Sequence, residues 1–220
     1  NTRTDLFCLA DAEAKPSPAK YKPMPAETPS DGKVVGARLF PAEVTAKAGE
    51  QVKFAVVYYD ANGRTVEGAK PEGDTAWTIA TPAKTPTGAQ PPPLTGKVEG
   101  DATGGAVKLA PNPSQQGYVD FKLGEITARG RVRVSPKLGF TNNFDVPPAG
   151  SSPGGWVNTN GKFLIAKMPD GNGVLSKLNS DARPPLAKAI AYITDTTAAD
   201  YTIQADIMGT EVRGKLPDAG

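Results

Sequence analysis

The clearest alternation of apolar and polar positions runs from Gln51 to Tyr59, QVKFAVVYY. Val52, Phe54, Val56 and Tyr58 fall on one face of an extended strand, and Gln51, Lys53, Ala55, Val57 and Tyr59 on the other. Aromatic and β-branched side chains suit such a half-buried pleated surface, so this stretch predicts a central strand of a β-sandwich. Asp60-Ala61-Asn62-Gly63 follows, and its Asn-Gly pair supplies the left-handed backbone angles of a tight reversal. The chain is expected to run back through residues 64–67. The same regular pattern covers residues 37–41, 44–46 and 75–79, the last around Trp77, and returns in residues 117–124 and 126–134. Residues 81–93, TPAKTPTGAQPPP, interrupt it. Proline cannot donate to a ladder, so this insertion is expected to bulge from one end of the sandwich rather than run inside it.

Outside that region the texture changes twice. Residues 2–9, TRTDLFCL, alternate as a strand, with Leu6 and Cys8 on one side and Phe7 and Leu9 on the other. Residues 10–33 carry Pro16, Pro18, Pro23, Pro25 and Pro29, too closely spaced for helix or sheet, and are expected to form a semi-rigid extended linker. A second connector spans 136–148. Beyond it, residues 163–168, 186–193 and 201–208 are expected to be strands, each with apolar residues that need a second sheet to cover them.

Composition narrows the choices. The 220 residues suffice for one or two domains with a real core. Glycine, at 24, and proline, at 22, make up about a fifth of the chain, against roughly 12% in average usage. Spread between short apolar runs without a three-residue glycine repeat, they favour all-β architecture with frequent turns. Lys and Arg number 25 against 23 Asp and Glu, a formal charge of +2, which gives little reason to expect nucleic-acid binding driven by unpaired cations. Histidine is absent, which removes the commonest general base and the usual zinc ligand together. The single cysteine, Cys8, allows neither an intramolecular disulfide nor a thiolate metal cluster. No apolar run approaches the roughly 20 residues that span a bilayer. The start at Asn1 and the end just after an expected strand are read as those of a fragment of a longer protein.

Residues 2–9 resemble the closing strand of a blade in a quinoprotein-like (PQQ-type) β-propeller, and the resemblance implies pairing with a preceding propeller. A stray N-terminal strand is the other reading. Residues 40–63, FPAEVTAKAGEQVKFAVVYYDANG, resemble the opening of a bacterial immunoglobulin-like domain, with Trp77 where such domains carry their core tryptophan and residues 117–134 as the closing hairpin. Further on, Asn143-Phe144-Asp145, Pro153-Gly154-Gly155-Trp156-Val157-Asn158, Gly161-Lys162-Phe163-Leu164-Ile165, Asp170-Gly171-Asn172-Gly173 and residues 200–207 follow one another as the first strands of a concanavalin A-like (LamG-like) jelly roll do. The ordered set resembles the C-terminal region of large PQQ-like β-propeller proteins of bacteria.

Four features could carry chemistry. Arg129, Arg131 and Arg133 alternate along one strand, which places three guanidinium groups on one face. They form either a stripe facing an anion or a partner, or the commoner solvated face paired with acids such as Asp120 or Glu125. Asp60-Ala61-Asn62-Gly63 and Asp170-Gly171-Asn172-Gly173 imitate the start of a calcium loop. Arg64 and Val174 stand where the third oxygen ligand belongs, so both are read as hairpin turns. Trp156 and Tyr201 could stack on sugar rings, but the jelly-roll resemblance implies that Trp156 packs between the sheets, and the alternation of Tyr201 with Ile203 favours the core. Asp195, Asp200, Asp206 and Glu211 could supply paired carboxylates for glycoside hydrolysis, and nothing in the sequence sets two of them at the required separation.

The expected fold is mainly β: residues 1–9 a propeller strand, 10–33 a linker, 34–137 an immunoglobulin-like sandwich, and 138–220 the N-terminal part of a jelly roll. The expected role is a non-catalytic accessory, spacer and partner-presenting module of a secreted, periplasmic or envelope-associated multidomain protein. No cofactor, metal or nucleic acid is expected, and the partner is a glycan or a cell-surface protein. Two other classes stay open, an accessory tail of a PQQ-dependent dehydrogenase and part of a carbohydrate-binding or sugar-hydrolysing jelly roll.

Overall fold

In a computed structural model, the residues described are 24–84, 92–112, 114–178, 189–194, 197–211 and 214. The expected strand over residues 2–9, most of the linker, the centre of the 81–93 insertion and the first three residues of the expected strand 186–193 lie outside them. Among the described residues there is no helix, and the strands in chain order are β1 (Gly36–Phe40), β2 (Glu43–Lys47), β3 (Gln51–Tyr59), β4 (Thr75–Ala80), β5 (Gly96–Gly100), β6 (Gly104–Leu109), β7 (Gln116–Leu123), β8 (Ile126–Ser135), β9 (Phe163–Lys167) and β10 (Gly173–Lys177).

Eight of them build two four-stranded sheets, ordered β1-β3-β6-β5 and β2-β8-β7-β4. Neighbours are antiparallel except β2 and β8, which are parallel. The chain changes sheet between β1 and β2, at Pro41, a residue with no N–H to offer a ladder. As the alternation of β3 demands, Val52, Phe54 and Tyr58 turn inward and Gln51, Lys53 and Ala55 outward. Leu39, Phe54 and Val107 of the first sheet and Val119, Phe121 and Val132 of the second meet in one core. The mainly-β sandwich is therefore as expected.

Two aromatic rings fix how the sheets meet. Trp77 of β4 lies 5.0 Å from Phe121, ring centroid to ring centroid, and donates its Nε1–H to the carbonyl of Asp101 (3.1 Å) across the sandwich. Its ring rests on Gly105 of β6, where a Cβ would come within 2.8 Å of the indole. In the other direction, Phe54 of β3 rests on Gly130 of β8, where a Cβ would come within 2.7 Å of the ring. Each sheet thus contributes a large ring and the bare backbone that receives the other's ring.

The turns are held by carboxylates. Asp60 is buried, and it accepts N–H bonds from Asn62 and Arg64 (2.9 Å each) and from Asp31 (3.0 Å). Burial alone would raise its pKa, but donation from Arg64, Asp31, Ser30 and Asn62 outweighs it and holds the carboxyl below its ordinary value. The chain reverses over residues 60–64 as expected, with a single bridge from Tyr59 to Thr65 rather than a full return strand. The bond from Asp31 and an ion pair between Glu27 and Arg64 tie the end of the proline-rich segment to this turn. Asp101 closes the β5–β6 turn in the same way, accepting from the N–H and hydroxyl of Thr103 (2.7 and 2.6 Å).

After β8 the chain forms a smaller unit. β9 and β10 make a hairpin turned by Asp170-Gly171-Asn172, and β9 exchanges backbone bonds with residues 150 and 151 through Ile165 (2.8 Å each). Trp156 is buried, edge-on to Phe144 at 6.0 Å. Gly155 presses against the end of β8, where a Cβ would come 2.2 Å from the carbonyl oxygen of Val134. Residues 201–208 differ from expectation. They are in no sheet, and Tyr201, expected in the core, is exposed together with Ile203, Ile207 and Met208. Alternation prepares a segment for a strand, but a strand forms only where another backbone accepts its bonds.

Phe54→Ala should lower the unfolding free energy by about 3–5 kcal/mol, the range for deleting a buried ring. Lys53→Ala, on the exposed face, should cost less than about 0.5 kcal/mol. Urea denaturation of both variants measures this, and equal losses would contradict the assignment of faces.

Candidate partner-binding face

The arginines lie on the outer face of the β2-β8-β7-β4 sheet. Along β8 the inward positions are Ala128, Gly130, Val132 and Val134, all buried, which turns Arg129, Arg131 and Arg133 away from the core. The register is set by the two-residue connection Gly124-Glu125, with Gly124 at φ +56°. It pairs Leu123 with Ile126, and therefore Asp120 with Arg129, Tyr118 with Arg131 and Gln116 with Arg133.

The three arginines have different fates. Arg129 is bound through both arms by Asp120, Nε to Oδ1 at 2.6 Å and a terminal nitrogen to Oδ2 at 2.7 Å. That hydrogen bond raises its pKa further. Its guanidinium also lies over Tyr118, 4.7 Å from the ring centroid. Arg133 is almost wholly buried, with its side chain 7% exposed, and is ion-paired with Glu43 of β2. Burial lowers its pKa. Arg131, half-buried between them, has its guanidinium over Tyr118, 6.0 Å from the ring centroid, and forms no ion pair among the described residues, although Glu43, paired with Arg133, stands beside it in register. The commoner outcome anticipated for such a stripe, pairing with neighbouring acids, thus describes Arg129 through Asp120; among the described residues Glu125 takes no part in an ion pair, and the acid on Arg133 is Glu43.

Beside Tyr118 the face is hollowed into an open concavity of about 460 Å³, lined by Thr78, Asp120, Phe121, Lys122, Thr127 and Arg129. It offers two cations, Lys122 and Arg129, the second engaged by the carboxylate of Asp120, and two hydroxyls. Tyr118 is the member of this face that reading the arginines alone missed. Counting pairs outward from the Gly124-Glu125 turn would have set it opposite Arg131.

The other candidates separate. Asp170 accepts the N–H of Asn172 (3.0 Å) and the side-chain amide of the same residue (2.8 Å), an arrangement that closes a hairpin turn. Asp60 spends its oxygens on backbone N–H groups. Asp200, Asp206 and Glu211 are exposed, and Asp195 lies outside the described residues. Among the described residues, no helix is long and apolar enough to cross a membrane. No protein-family model matches the chain, and no curated protein matches it.

The two ion pairs should respond differently to removal of their acid. Asp120→Asn, beside a largely exposed arginine, should cost less than about 1 kcal/mol. Glu43→Gln leaves the buried Arg133 charge without its partner and should cost more, about 1–3 kcal/mol. Chemical denaturation of the two variants side by side checks the order, and a larger loss in Asp120→Asn would contradict it.

Proposed function

We propose that the chain is a non-catalytic spacer and partner-presenting module of a secreted or envelope-associated multidomain protein. In this reading residues 34–137 are an immunoglobulin-like domain and residues 138–220 the N-terminal part of a concanavalin A-like jelly roll. The observation that carries the reading is the strand order. Lettered along the chain as A, A′, B, C, D, E, F and G, the strands β1 to β8 give sheets ABED and A′GFC, the arrangement of an immunoglobulin constant-type sandwich, and Trp77 stands on strand C. The inside of this sandwich is filled by core side chains, so contact with other molecules falls to its outer faces and turns. Tethering of residues 27–31 to the Asp60 turn supports the spacer role, because it converts the end of a proline-rich segment into a fixed entry to the domain. The envelope setting and the parent propeller follow from the resemblance of residues 2–9 and 143–207.

Residues 34–137 produced alone should unfold in one cooperative transition, and the whole chain mixed with pyrroloquinoline quinone should develop no bound-quinone absorbance. A gradual, non-cooperative melt would contradict the domain assignment. Bound-quinone absorbance in a full-length parent protein, which this chain lacks under either reading, would favour the dehydrogenase tail, and glycan binding by the completed jelly roll would favour the sugar-processing reading.

A further inference from the structure

We infer that the outer face of the β2-β8-β7-β4 sheet receives an extended segment of a partner protein that carries two carboxylates four residues apart, one taken by Arg131 and the other by Lys122. The inference deepens the partner-presenting reading above and rests on it.

Charge selects the sign of the partner. This face carries Lys47, Lys122, Arg129, Arg131 and Arg133 against only Glu43 and Asp120. Both acids are already engaged, Glu43 by Arg133 and Asp120 by Arg129. Arg131, although Glu43 stands beside it in register, and Lys122 form no ion pair among the described residues. Arg131 is also prepared for one. Half-buried and stacked over Tyr118, it has given up part of its hydration and rotamer freedom before a partner arrives, and its planar fork matches a carboxylate in two bonds. Tyr118, in contact with two guanidinium groups, provides the rigid amphipathic floor typical of an interface centre.

Spacing selects the form of the partner. Lys122 pairs in register with Thr127, and Tyr118 with Arg131, so Lys122 and Arg131 stand four positions apart along the strand direction. At about 3.3–3.4 Å per residue that is about 13 Å, the distance between residues i and i+4 of another extended chain laid along the same direction. Midway between them sit Asp120 and Arg129, locked together, beside the concavity bordered by Thr78 and Thr127. A carboxylate at i+2 would meet Asp120, whereas a neutral hydroxyl or small side chain fits there. A uniform polyanion would place charge against Asp120 at every register, so the mixed pattern favours a peptide over an anionic polysaccharide.

The test uses the full chain and three short fluorescent peptides of alternating valine. The first has glutamate at the first and fifth positions and threonine at the third; the second replaces both glutamates by glutamine; the third moves the second glutamate to the third position. Anisotropy titrations should show salt-sensitive binding of the first peptide, weakened about tenfold or more in each of the other two. Arg131→Ala and Tyr118→Ala should each weaken it to a similar degree, Arg131→Lys by less, and Lys53→Ala on the opposite sheet should leave it unchanged. Circular dichroism melts of each variant confirm that the sandwich is retained. Equal binding of the three peptides, or unchanged binding by Arg131→Ala, overturns the inference. Tighter binding of a sulfated polysaccharide through the same arginines overturns the peptide assignment and leaves the module reading standing. A non-cooperative melt of residues 34–137, or glycan binding by the completed jelly roll, would instead remove the module reading itself.

Discussion

The sandwich depends on two places where a ring must occupy the space of a missing side chain. Phe54 fills the gap above Gly130, and Trp77 the gap above Gly105, one ring pointing each way between the sheets. Close packing leaves such a contact little room to relax, since a single added methyl group meets ring atoms well inside van der Waals distance. Trp77 adds a polar constraint by donating to Asp101, and Tyr58 donates from β3 to the carbonyl of Ala102 in the same turn (2.5 Å). Burial, then the nearby Asp101, raises the pKa of that phenol. One turn is thereby gripped from both sheets, and the spacing between them follows.

The outer face inherits its order from this interior. Because Gly130 of β8 receives the ring of Phe54, it faces the core, and the residues flanking the glycine, Arg129 and Arg131, must face away. The Gly124-Glu125 turn then decides which side chains of β7 stand beside them, and Tyr118 in contact with two arginines is the result. A register shifted by one residue would put the charges into the core, so stability enforces the composition of this outer face.

The same physics explains which elements could be read from the sequence. β3 was legible in full, and β7 and β8 nearly so, because each alternates without interruption and ends at a turn with glycine. β5 and β6 were not. Gly96, Gly100, Gly104 and Gly105 break their alternation, and Gly100 and Gly105 are where Trp77 of the other sheet needs bare backbone, a demand that no local pattern records. The switch of sheet between β1 and β2 was equally hidden, since both are short and only their partners differ. At the other extreme, residues 201–208 carry a good strand pattern and form no strand, because pairing is a property of two segments and the pattern describes one. Of the candidate face, the arginine stripe and its Asp120 partner were visible as a set of alternatives. The distinct states of Arg129, Arg131 and Arg133 were not, because burial of Arg133 and its pairing with Glu43 depend on β2 arriving from the opposite end of the domain.

The dependence on ring and glycine can be measured directly by a double-mutant cycle of Phe54→Leu and Gly130→Ala in urea denaturation. Gly130→Ala alone should cost about 1–3 kcal/mol through overpacking against the ring. In the Phe54→Leu background, where a flexible side chain can yield, the same change should cost much less, giving a coupling of about 1 kcal/mol or more. Losses that add to within about 0.5 kcal/mol would contradict the claim that this contact sets the distance between the sheets.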